Sequence, residues 1–133
     1  MLFETRKYAD ARAQFQQFLG QYPGGALAFQ AALGLAACLD AQGEMKPAIA
    51  AYQRVINNYS DPLAANHARY RLAQIDEQQG KWTDALNLYE DVARSDPGGQ
   101  LGSEAGIRAM ELKTKPASAS TATAPAAPLK LNP

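Results

Sequence analysis

A single cysteine, a single histidine and a balanced charge close most routes to a function before any residue is placed. With only Cys38 no internal disulfide forms, so cysteine usage does not separate a reducing compartment from an oxidising one. With only His67, neither a two-histidine metal site nor a histidine-centred triad with a spare base can be built. Thirteen basic residues against thirteen acidic ones give zero formal charge, which removes the electrostatic case for nucleic acid or an anionic membrane surface. No stretch approaches the roughly 18 apolar residues of a spanning helix, so no membrane insertion is expected of the visible chain. Residues 1–20 also lack the basic start and apolar run of a secretory signal. The glycine pairs 24–25 and 98–99 lack the lysine and hydroxyl residue of a phosphate loop and read as turns. Neither metal, cofactor nor enzymatic activity is expected. Asn58, Tyr59 and Ser60 spell a glycosylation acceptor, which matters only in a glycosylating compartment.

What the chain does have is a period. Tyr8, Met45 and Trp82 stand 37 residues apart, and the same shift superposes Ala11, Ala48 and Ala85 without a gap. Phe15 falls on Tyr52 and Tyr89, Phe18 on Val55 and Val92, Ala31 on Ala68 and Ala105, and Gly43 on Gly80. A period in this range marks a supersecondary unit that cannot bury its apolar face alone and must stack on its neighbours. Within a unit the apolar spacing is helical: Ala65, Ala68, Leu72 and Ile75 recur at steps of three and four and make one buried stripe. Asp61 before Pro62 supplies a helix cap and a proline at the first helical position, and Pro47 is given the same role one unit earlier. The spacing predicts helices over 2–20, 26–42, 46–58, 63–79, 82–95 and 102–113. At 47% hydrophobic and 20% charged residues, the chain has enough apolar content for one small domain and enough charge to stay solvated.

Leu72, Ala73, Gly80, Trp82, Ala85, Tyr89 and Pro97, and one unit earlier Leu35, Ala36, Gly43, Ala48 and Tyr52, resemble the tetratricopeptide repeat family. Its small alanines let paired helices approach, and its aromatic ring fills the gap beside them. The chain departs from the family in its period, 37 where roughly 34 is usual, and in Ser60, which replaces the proline of the neighbouring units. The longer period and the Tyr-Pro or Tyr-Ser endings at Tyr22 and Tyr59 are similar to tetratricopeptide proteins of the bacterial envelope, including those of outer-membrane assembly and the Tol-Pal system. The resemblance implies an all-α, right-handed superhelical stack of antiparallel helix pairs, an α-solenoid of about six helices. The expected parts are a partial repeat over 1–25, repeats over 26–62 and 63–99, a capping helix over 100–115 and a disordered tail over 116–133. That tail holds six alanines, four prolines, two serines and two threonines, a composition that cannot pack a core.

Shifted backward, the repeat starts mid-unit: Leu2 falls on Leu39 and Arg6 on Gly43, so residues 1–5 are expected to be the last turn of a first helix. The sequence therefore reads as the C-terminal part of a longer protein, against the alternative that the helix after Tyr8 pairs with another chain. An upstream anchor or signal would place it in a bacterial periplasm or envelope; the visible chain carries no address of its own. Cys38 shares a column with Ile75 and Leu112 and reads as core.

In a superhelix of this kind the first helices line the concave face, and the stripe beside the buried one points into the groove. That stripe is His67, Tyr70, Arg71, Gln74 and Glu77, with Gln30, Leu33 and Asp40 before it and Glu104, Ile107, Arg108 and Glu111 after it. Tyrosine and arginine are residue types that carry interface energy, although Tyr70 packed between units and Arg71 on a solvated face are competing assignments. The stripe has no lysine, unlike the lysine and asparagine clamp with which some modules of the family hold a chaperone's terminal carboxylate. The expected ligand is a helix or extended segment of another protein. The function expected is thus a non-catalytic scaffold binding a partner segment. Its alternative is a spacer or oligomerisation unit of a cell-envelope assembly, self-pairing through the N-terminal helix.

Overall fold

Two turns of the same construction set the architecture. At each, a glycine adopts a left-handed backbone conformation, Gly43 at φ 78° and Gly80 at φ 77°. The amide of Gly43 donates to the carbonyl of Asp40 (2.9 Å) and that of Glu44 to Leu39 (2.9 Å); Gly80 and Lys81 repeat the pattern to Glu77 (3.1 Å) and Asp76 (2.8 Å). This crossed pair of bonds satisfies carbonyls that the end of a helix leaves orphaned, and it needs a residue with no Cβ penalty at positive φ.

The computed structural model describes residues 2–114, with side chains from Arg6 onward. Among them are six helices and no strand: α1 (Leu2–Gln21), α2 (Ala28–Ala41), α3 (Met45–Asn58), α4 (Pro62–Gln78), α5 (Trp82–Ser95) and α6 (Gln100–Thr114). These are the six helices predicted, with ends moved by two residues or fewer. Asp61 accepts the amide of Ala64 (2.8 Å) and caps α4, with Pro62 opening the helix as expected. Pro47 differs: α3 begins at Met45, so the proline is its third residue. It costs nothing there either, because the first four amides of a helix have no intrahelical acceptor.

The chain divides into two compact units, Met1–Ala68 and Arg69–Pro133. In the first, α2 packs against both α1 and α3. Ala28, Ala31, Leu35, Ala36 and Leu39 of α2 are buried, as are Ala48, Ala51, Tyr52 and Val55 of α3, and Cys38 lies among them as the sequence predicts. Burial pushes the Cys38 thiol up, opposed by the Arg12 guanidinium. Arg12 ties α1 to the turn below, with Gln42 at 3.3 Å and Glu44 at 3.2 Å. In the second unit α5 packs against α6, and Ala73, Ala85, Tyr89, Val92, Ala105, Ala109 and Leu112 form one core cluster.

Of the two readings of the N-terminus, one helix over 2–20 and a helix end followed by a second helix, α1 follows the first. It runs unbroken from Leu2 to Gln21, because Arg6, in the column of Gly43 and Gly80, lacks glycine's access to the turn conformation. No described side chain of α1 is buried, although the columns of Ala11, Phe15 and Phe18 are buried in both later copies. Ala48, Tyr52 and Val55 on α3, and Ala85, Tyr89 and Val92 on α5, are almost wholly covered, whereas Ala11, Phe15 and Phe18 are only half-buried. Phe15 still lies hard against α2: a Cβ built on Gly34 would meet its ring at 2.6 Å, so the glycine is what lets the ring down. The tail expected over 116–133 lies outside the described residues.

Candidate functional site

The second unit carries a recess of about 440 Å³ lined by Tyr70, Arg71, Gln74, Glu77 and Gln78 of α4, Trp82 and Tyr89 of α5, and Arg108 of α6. Its floor is Tyr89, a fully buried ring whose hydroxyl must find an acceptor in so dry a place. It donates to the Glu77 carboxylate at 2.9 Å. The same bond occurs one repeat earlier, where Tyr52 donates to Asp40 at 2.9 Å. Asp40 and Glu77 both stand three residues before the turn glycine, so the shared turn geometry fixes the acid that receives the shared tyrosine.

On this floor the recess builds its polar wall. Arg108 pairs with the second oxygen of Glu77 and with Glu111 at 2.7 Å, and its guanidinium lies over the Tyr89 ring, 5.9 Å from the centroid. The hydrogen bond to Glu77, then that to Tyr89, holds the Arg108 charge even more firmly than usual, against a smaller opposing effect of burial. Burial first, then the bond to Glu77, pushes the Tyr89 phenol up to about 12. The Tyr70 ring meets Tyr89 edge-on, centroids 5.5 Å apart and planes at 70°, and burial, then the Glu104 charge, raises its phenol as well. Arg71 donates to Gln74 at 3.3 Å. The buried indole N–H of Trp82 has no acceptor among the described residues.

Five of the predicted groove residues, Tyr70, Arg71, Gln74, Glu77 and Arg108, come together here. Glu111 joins through Arg108. Glu104 is exposed and accepts from Gln100 at 3.4 Å, while Ile107 is exposed beyond the recess lining. The remaining stripe residues belong to the first unit. Asp40 accepts from Tyr52, Leu33 is half-buried, and His67 is exposed on α4. Gln30 instead lines a separate recess of about 310 Å³ with Gln14, Phe15, Phe18, Leu27 and Ala31. Sequence reasoning missed Gln78, Trp82 and Tyr89 as lining. Trp82 and Tyr89 pack in and against the core, as the aromatic columns of the repeat imply, and line the recess as well; the one available signal for that second role was their polar ends, which a buried tyrosine or tryptophan must satisfy somewhere.

Chemically the recess offers aromatic rings, two arginines and side-chain amides, with no serine, threonine, cysteine, lysine or histidine in its lining. Among the described residues no group of three or more histidine, cysteine or acidic side chains could hold a metal, and no helix is long and apolar enough to cross a membrane. The family model described as the tetratricopeptide repeat-like domain matches residues 2–105. No curated protein and no solved structure matches the chain.

Proposed function

From the premise that this chain belongs to the tetratricopeptide repeat-like domain family, we propose that it is a non-catalytic scaffold that holds a segment of a partner protein against the recess of its second unit. The fold is one that typically carries interactions instead of catalysis. The observation that carries the reading is the convergence of Tyr70, Arg71, Gln74 and Arg108 on one recess whose floor is locked by the Tyr89–Glu77 bond. A rigid aromatic and arginine surface loses little side-chain freedom when a ligand arrives, which is what makes such residues effective anchors. The side chains present suit a backbone-rich segment: Gln74 and Gln78 can donate to and accept from peptide groups, and the rings can cover its apolar side chains. The other stripe residues stay part of the proposal as further candidate contacts, Gln30, Leu33, Asp40 and His67 in the first unit and Glu104, Ile107 and Glu111 in the second.

Selection from a displayed random-peptide library tests this directly. Peptides enriched on the wild-type chain should bind an Arg71→Ala, Gln74→Ala variant about tenfold or more weakly, the loss of one anchor at an interface, with an unchanged melting curve. Enrichment of nothing, or of peptides that bind the variant equally well, would overturn the assignment. A hydrolytic activity abolished by His67→Ala would overturn the non-catalytic reading.

A further inference from the structure

In the second unit, α5 covers one side of α4 along Tyr70, Ala73 and Glu77. Tyr70 meets the Tyr89 ring, Ala73 lies in the core with Ala85 and Tyr89, and Glu77 accepts the Tyr89 hydroxyl. The 37-residue shift carries this line to Ile107, Met110 and Thr114 on α6. There it is bare. Ala36 and Ala73 are 0% exposed, whereas Met110 in their column is 65% exposed and Ile107 is 58% exposed. Among the described residues α6 is a first-type helix with nothing on its second-helix side.

The opposite deficit occurs on α1. The α5 line that faces α4 holds Trp82, Ala85 and Tyr89, which two such shifts carry back to Tyr8, Ala11 and Phe15. Tyr8 is 39% exposed, and Ala11 and Phe15 are half-buried. Position 3 is in the column of the accepting acid, yet it lies twelve residues back along α1 itself, about 18 Å at the rise of a helix. The start of α1 therefore cannot cover the line on which Phe15 sits.

The two lines match in their chemistry. Where a unit is complete, an acid on the first helix accepts a tyrosine hydroxyl on the second, Asp40 with Tyr52 and Glu77 with Tyr89. On the bare lines both members change together: the acid's column holds Thr114 and the tyrosine's column holds Phe15. A carboxylate pressed against phenylalanine would be buried without a donor, which costs far more than burying an unpaired neutral polar group. Thr114 instead satisfies its hydroxyl on its own helix, at the Met110 carbonyl (3.1 Å).

We propose that a second copy of this chain is the occupant, with α6 of one copy seating against α1 of the next, so that the two complete one repeat between them. The contact is head to tail, heterologous and able to propagate. Apart from Ile107, which that reading also counts as a candidate contact, the interface uses none of the residues assigned above, and it does not rest on that reading. A single helix-on-helix contact falls at the small end of interfaces, so assembly is weak and belongs at high concentration.

Sedimentation velocity on the full chain, from about 10 μM to 1 mM to span that weak range, tests it. The weight-average mass should rise with concentration above the 14.3 kDa of one chain. Met110→Glu and Ala11→Glu should each sediment as monomers with unchanged helicity. Mixed in equal amounts they should form a one-to-one dimer and nothing larger, since each retains the face the other has lost. Should Ala11→Glu lose helicity, Tyr8→Glu replaces it at a more exposed position of the same line. A wild-type chain that stays monomeric throughout, including by covering α6 with its own residues, overturns the proposal. So does self-association that survives Met110→Glu, which would mean α1 pairs with α1. Arg71→Ala, Gln74→Ala should assemble like wild type, so failure here and failure of the recess remain separate results.

Discussion

Tyr89 is the side chain on which most of the second unit's chemistry depends. Its hydroxyl and Arg108 share the Glu77 carboxylate, so Tyr89→Phe removes one donor and strands no group. The expected loss is about 1–2 kcal/mol in urea unfolding. Glu77→Ala strands the buried hydroxyl and takes one of two acids from Arg108, and should cost about 2–3 kcal/mol by the same reasoning. The phenol titrates at about 12 in the folded chain against an ordinary 10.0. A raised folded value means that the hydroxyl's contribution is intact below pH 10 and is lost as pH rises through 12. Ultraviolet titration of tyrosinate should therefore show a last ionisation near 12 that is missing from Tyr89→Phe.

Among elements, the turns and α1 make opposite points about glycine. Gly43→Ala and Gly80→Ala force a Cβ into a left-handed conformation and should each cost about 1–2 kcal/mol, although nothing lies within 4 Å of either position. Gly98→Ala, equally open and without a positive φ, should change the urea midpoint by less than half as much. At Arg6 the helix simply continues. The repeat columns alone placed a helix end there; the side chain needed to make that turn was absent, and the local residue outweighed the register. Helix extents, the Asp61 cap and the alanine columns were legible because each depends on residues within a turn or two of one another.

For the molecule as a whole, both proposed interfaces use α6, Arg108 at the recess and Met110 on the bare line, but only the second needs α1. A chain beginning at Leu27 lacks α1 and should retain peptide binding at the recess, measured by fluorescence anisotropy with a selected peptide, while losing concentration-dependent assembly. The all-α helix pairs of the tetratricopeptide repeat-like domain were readable from the 37-residue period, since stacking units must repeat the residues with which they stack. The recess was legible only in part. Phase along α4 gave Tyr70, Arg71, Gln74 and Glu77, but hydrophobic periodicity hid Trp82 and Tyr89 inside the core.

By itself the sequence determined the helices, their caps and glycine turns, and the columns that must be buried, because these follow from chain-local sterics and from a spacing that recurs. Only the tertiary structure decided that Arg108, 31 residues from Glu77, completes the wall above Tyr89, and that Met110 is exposed and Phe15 only half-buried in columns that are buried elsewhere. Those facts depend on which helix lies against which, and a residue's column says what its neighbours should be without saying whether they are there.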